Sequence, residues 1–158
     1  MNKGTILHQT GESHDAHKKL DQQGLYLPSA PEFDAPDIPM DISELSDEEL
    51  MELYTQLVTY LNFVTVQLAT AEIDERMAEK KLERVRAERM GTVNEKTVSA
   101  AKAKVASDPI VVVELEKVDE LYAYRKLVES VHQNLDRNVS LASRELTRRT
   151  SQQGKRFS

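Results

Sequence analysis

Apolar residues recur through the middle of the chain in alternating steps of four and three: Leu50, Tyr54, Leu57, Leu61, Val64, Leu68, Ala71, Glu75, Ala78, Leu82, Val85, Arg89. A 3.5-residue period held this long marks a helix that packs along a narrow left-handed coiled-coil seam, not one lying on a broad core. Its start is signalled by Ser46-Asp47-Glu48-Glu49, a capping box in which hydroxyl and carboxylate each accept from the other residue's amide. Three carboxylates in the first turn also face the positive end of the helix dipole. The pattern predicts a helix over 47–90, stopped by Gly91 and on the order of 65 Å long at about 1.5 Å rise per residue.

A second seam follows, Val118, Leu121, Arg125, Val128, His132, Leu135, Val139, Ala142, Leu146, Arg149. It predicts a helix over 109–149, with Asp108 as N-cap and Pro109 at the first helical position, where a missing amide costs nothing. Ile110-Val111-Val112-Val113 is strand-like by propensity, but its context favours helix. Between the seams, Thr92-Val93-Asn94-Glu95 offers another capping box and predicts a short helix over 94–106. A connector of this length lets the chain reverse, and each seam needs a partner. The expected fold is therefore all-α: a long antiparallel, coiled-coil-like helical hairpin with a short connecting helix. Leu115, Tyr122, Tyr124, Leu127 and Val131 widen the apolar face of the second helix beyond what one stripe covers, which predicts a homo-oligomer of packed hairpins. Glu75 and Arg125 interrupt the two seams at similar height. Either they pair and fix register at some cost in stability, or each points outward through a shift in helix phase.

Residues 1–45 contain Pro28, Pro31, Pro36 and Pro39, three of the five Gly, and no sustained apolar period. Such a segment buries too little to offset its ordering entropy and reads as a disordered arm. Leu25, Tyr26, Leu27, Phe33 and Ile38 could dock from it onto a partner as an extended peptide. The organisation expected is an acidic arm (1–45), a hairpin domain (46–150) and a basic tail (151–158).

Composition narrows the function. With no Cys and only five Gly, thiolate sites are excluded and phosphate-cradling Gly-rich loops are short of material. No apolar run approaches the roughly 20 residues needed to span a bilayer, and Met1 to Leu7 carries no secretory pattern, so a cytoplasmic protein without membrane attachment is expected. The net charge of −6 conceals an asymmetry. Met1–Tyr60 has three basic and twelve acidic side chains, Leu61–Asp136 twelve and fourteen, and Arg137–Ser158 six and one.

No catalytic set emerges. His132 sits on a seam near Ser130 and Asp136, yet neighbours on one helix do not arrange nucleophile, base and orienter around a shared cleft. His8, His14 and His17 lack the accompanying ligands of a metal site. Neither a metal nor a cofactor is expected, and the protein reads as a non-enzyme. Basic clusters carry more information. Arg76, Lys80, Lys81, Arg84, Arg86 and Arg89 crowd the end of the first helix, and Lys96, Lys102 and Lys104 follow, nine cations against Glu79, Glu83, Glu88 and Glu95. This stretch can grip phosphates in a salt-sensitive way, or its charges, Lys80 and Arg84 with Glu79 and Glu83, serve ordinary intrahelical pairing. Arg144, Arg148, Arg149, Lys155 and Arg156 beside Phe157 form a second candidate, suited to single strands whose bases stack and whose backbone is tracked by charge. The alternative there is a helix C-terminus that favours cations.

Three stretches resemble the phage recombination mediator family of UvsY type: Leu53 to Leu68 running into Lys80-Lys81-Leu82-Glu83-Arg84-Val85-Arg86, the acidic segment Asp108 to Glu116, and Ser143-Arg144-Glu145-Leu146-Thr147-Arg148-Arg149. The resemblance covers about residues 50–150. It implies a homo-oligomer that binds single-stranded DNA and helps load a RecA-like recombinase while a single-strand-binding protein is displaced, in the cytoplasm of an infected bacterium. The competing expectation is a structural or scaffolding coiled-coil protein of a phage particle or other assembly. A third is an adaptor that captures a partner through its Pro-rich arm.

Overall fold

The computed structural model describes residues 11–156, with side chains through Gln152. The chain is all-α: α1 (Gly11–Gln22), α2 (Asp47–Thr92), α3 (Val98–Ala106) and α4 (Pro109–Arg156), with a 3-10 turn at Ile42–Glu44 before α2. No strand occurs among the described residues, and Ile110–Val113 are helical. Long α2 and α4 pair antiparallel. Every position of both expected seams is buried or half-buried, because a 3.5-residue repeat keeps one stripe facing the partner along the whole contact. No helix among the described residues is long and apolar enough to cross a membrane.

Contacts divide the chain into two units. In the first, which contains Leu27–Gln67 and the chain from Glu129, Leu50, Leu57, Val64, Leu135 and Ala142 form the buried core. The capping box is present: the Ser46 amide donates to Glu49 Oε2 at 2.8 Å and the Glu49 amide to Ser46 Oγ at 3.2 Å. His132 Nε2 lies 3.1 Å from Thr65 Oγ1, so this seam histidine meets a hydroxyl. Phe33 of the segment before α2 packs edge-on against Tyr60, with ring centroids 5.6 Å apart, and its carbonyl accepts from the Tyr60 hydroxyl. One of the apolar residues expected to seek a partner is thus held by its own chain, while Tyr26 remains 82 % exposed.

Of the described residues, the second unit contains 11–26 and Leu68–Val128. Leu82, Val105 and Val111 form a core cluster joined by Val85, Met90, Val93 and Val118, so α3 is pinned between the end of α2 and the start of α4. Asp108 caps α4 as the sequence predicts, accepting from the Ile110 amide at 2.9 Å. The cap of α3 differs from expectation. Thr97, not Thr92, accepts from the Ala100 amide at 3.2 Å, and α3 begins at Val98 instead of 94. Thr92 remains in α2, where its hydroxyl donates to the Arg89 carbonyl, and Glu95 is taken by Lys104 at 2.9 Å.

Of the expected disordered arm, residues 1–10 lie outside the described residues; from Gly11 the chain forms α1. This helix has little apolar signal because it is held by polar groups: Ser13 is fully buried and His17 Nε2 lies 3.3 Å from Thr70 Oγ1. Gly24, at φ +72°, closes it in a Schellman motif, with the Leu25 amide donating to the Leu20 carbonyl and the Gly24 amide to that of Asp21, each at 3.0 Å. The tail expected over 151–158 continues α4 through Arg156, and Phe157 lies outside the described residues.

Gly91 does not terminate α2 but sits within it, and a Cβ there would meet nothing within 4 Å. Gly91→Ala should therefore stabilise the protein by about 0.5–1 kcal/mol, whereas Gly24→Ala should destabilise it by about 1 kcal/mol because only Gly adopts that positive φ without strain. Urea denaturation of the two variants should show midpoints displaced in opposite directions.

Candidate nucleic-acid interface

Spacing along a helix decides which cations share a face. Arg76, Lys80 and Arg84 are four apart and make one exposed ridge on α2. The rest of the basic segment turns elsewhere. Lys81 Nζ lies 2.6 Å from Glu114 Oε1 of α4, and Arg89 Nε lies 3.4 Å from Asp108 Oδ2. With Lys104 held by Glu95, three of the candidate DNA-binding cations are committed to stitching α2, α3 and α4 together.

The candidates at the end of α4 are similarly divided. Arg148 donates through Nε and Nη2 to both oxygens of Glu145, at 2.7 and 2.6 Å. Arg149 Nε donates to Glu145 Oε1 at 2.8 Å and its Nη1 to Asp47 Oδ1 at 2.7 Å. Its Nη2 reaches the Ser43 carbonyl at 3.2 Å, so this one guanidinium fastens the 3-10 turn and the start of α2 to α4. Hydrogen bonds from Arg148 and then Arg149 hold the Glu145 carboxyl down at about 2, which keeps it charged and bonded in mild acid. Glu145 is a partner that the basic clusters by themselves do not point to, although its spacing of three and four from the two arginines is a legible signal.

Arg76, Lys80, Arg84, Arg86, Lys102 and Arg144 make no ion pair among the described residues. They are not one patch. Arg76 and Lys80 line a groove of about 460 Å³ together with Glu72, Glu75, Glu79, Glu83 and Arg125, where four carboxylates oppose three cations. Arg86 and Lys102 instead flank a cleft of about 420 Å³ between α2 and α3, lined otherwise by Ala87, Met90, Val105 and Ala106. No carboxylate lines that cleft.

Of the two arrangements open to Glu75 and Arg125, the paired one is present. Arg125 Nε donates to Glu75 Oε2, and both side chains are largely buried. The Arg125 guanidinium also lies 5.3 Å from the centroid of the Tyr122 ring, within cation–π range. Nearby, burial and then the Asp74 carboxylate push the Tyr124 phenol above its ordinary value. Among the described residues no group of three His, Asp or Glu is arranged to hold a metal ion; His8 lies outside them. Comparison of the chain with protein-family models, with curated proteins and with solved structures yields no match.

Proposed function

We propose that this protein is a single-stranded-DNA-binding recombination mediator that acts as a homo-oligomer and helps load a RecA-like recombinase, working by binding and not by catalysis. The observation that carries the reading is the set of six cations, Arg76, Lys80, Arg84, Arg86, Lys102 and Arg144, that make no ion pair among the described residues. Cations already bound by carboxylates would have to break those bonds to take phosphate, whereas these need only shed water and counterions. Their interleaving with Glu72, Glu79 and Glu83 makes each contact weak. An oligomer offsets this, since many weak contacts to one strand add through effective concentration. Support for assembly comes from Leu127 and Val131, one turn apart on α4 and exposed at 68 % and 49 %, apolar surface that favours self-association.

The same acidic interleaving favours a second reading, a structural or scaffolding coiled-coil protein whose charges serve packing and solubility. Fluorescence anisotropy with labelled oligo(dT) separates the two. The mediator reading expects binding that weakens as salt rises, and for Arg76→Ala/Lys80→Ala a salt slope smaller by about 1.4, at about 0.7 per phosphate contact on a single strand. Light scattering should show an oligomer that Leu127→Glu reduces in mass. An oligomer with no salt-sensitive binding would leave the scaffold reading in its place.

A further inference from the structure

The cleft between α2 and α3 differs in kind from the ridge beside it. The helices that flank it are fixed by the core cluster of Leu82, Val105 and Val111, by the Thr97 cap of α3 and by the Lys104–Glu95 and Arg89–Asp108 pairs. Met90, Val105, Ala87 and Ala106 give it an apolar lining, and its only charged lining groups are Arg86 and Lys102, neither in an ion pair among the described residues. Its volume, about 420 Å³, falls in the range of small-ligand sites, roughly 300–1,000 Å³.

An occupant that satisfies both halves carries an apolar body and an anion. We infer that the cleft is a nucleotide subsite, taking one base of the bound single strand against Met90 and Val105 with the adjoining phosphate between Arg86 and Lys102. The inference rests on the proposed DNA-binding reading and specifies its mode. Arg86 suits the role because a guanidinium plane stacks on a base while its edge donates to phosphate. The Met90 thioether makes favourable contacts with a flat π-system, and Lys102 supplies a point charge for the backbone. The ridge of Arg76, Lys80 and Arg84 differs by its carboxylates: Met77 and Ala87 lie beside Lys80 and Arg84, but so do Glu12 and Glu83, and Glu72, Glu75 and Glu79 flank Arg76 and Lys80, so an anion there meets like charge. Charge complementarity selects the strand over an apolar peptide, since two cations with no carboxylate beside them would be left without a counterpart.

The test compares labelled oligo(dT) with an abasic deoxyribose-phosphate oligomer of the same length and charge, both on the full chain. Wild type should bind oligo(dT) at least about tenfold more tightly than the abasic strand, within the range seen for stacking of a single base. Ala106→Leu fills the cleft at an exposed helical position without altering charge, and Arg86→Ala removes the stacking plane; each should bring that ratio close to one. Arg76→Ala/Lys80→Ala should weaken both strands and keep the ratio. Circular dichroism at wild-type helicity would confirm that each variant is folded. Equal binding of the two strands by wild type, or a ratio unchanged in both cleft variants, overturns the subsite while leaving DNA binding intact. Failure of wild type to bind either strand overturns the functional reading and the subsite together. An acidic Leu/Glu peptide that binds wild type more tightly than oligo(dT), and is lost in Ala106→Leu, would assign the cleft to a protein partner and overturn it as well.

Discussion

Replacing Arg125 with Met should lower stability by about 3 kcal/mol, toward the lower end of the cost of leaving a buried charge without its partner. The Glu75 and Arg125 side chains are only 12 % and 18 % exposed, so each has lost most of its hydration and is compensated by the other. With Arg125 gone, the Glu75 carboxylate is left in a poorly solvated seam without this partner, which costs free energy. The double variant Glu75→Leu/Arg125→Met should recover most of the loss, because two apolar side chains of similar size replace the largely buried pair. Urea denaturation of the single and double variants measures both quantities. A single-variant cost under about 1 kcal/mol would mean that the pair behaves as an exposed one. Recovery in the double variant would further imply that the pair is kept for register. Hydrophobic seams alone tolerate displacement by a heptad, whereas one charged pair at matched height penalises every other alignment.

Leu57→Ala is the second substitution with a large expected effect, a loss of about 3 kcal/mol from missing transfer energy and the cavity left behind. Leu57 is 0 % exposed and sits among the core positions of its unit, on a helix whose stripe leaves few neighbours able to move into the gap. Leu57→Met, which nearly conserves volume, should cost less than about 1.5 kcal/mol. Leu127→Ala provides the contrast. At 68 % exposure it should change the stability of dilute protein by no more than about 0.5 kcal/mol, so any larger effect that grows with protein concentration would report burial in an assembly. Denaturation midpoints at two protein concentrations separate these outcomes.

The seams and two of the three expected caps are legible in the sequence because they are local. Ser46 with Glu49, and Asp108 with Ile110, need only a few residues of chain to meet, and a heptad repeat specifies its own inward face. The α3 cap is less legible. Thr92-Val93-Asn94-Glu95 and the Thr97 start compete over a few residues, and the choice is made by Glu95 reaching Lys104 and by Val105 joining Leu82 and Val111. α1 is illegible for a different reason. Leu20 is its one large apolar residue, and it is held through Ser13 and His17, whose burial cannot be inferred from hydropathy.

Among the candidate binding residues the division is sharper. Six basic residues near the end of α2 look equivalent as a composition, yet Lys81 and Arg89 are consumed by Glu114 and Asp108 while Arg76, Lys80 and Arg84 stand on an outward ridge. By itself the sequence determined that the chain is helical, where its two long helices begin, which stripe of each is buried and that they run antiparallel, because these follow from periodicity, capping and the length of a connector. Only the tertiary structure decided which cations remain available, that Glu145 binds Arg148 and Arg149, and that α2 and α3 enclose a cleft with Arg86 and Lys102 as its charged groups. An ion pair or a cleft is made from atoms distant along the chain, and its existence depends on separations of a few ångströms that no local pattern encodes.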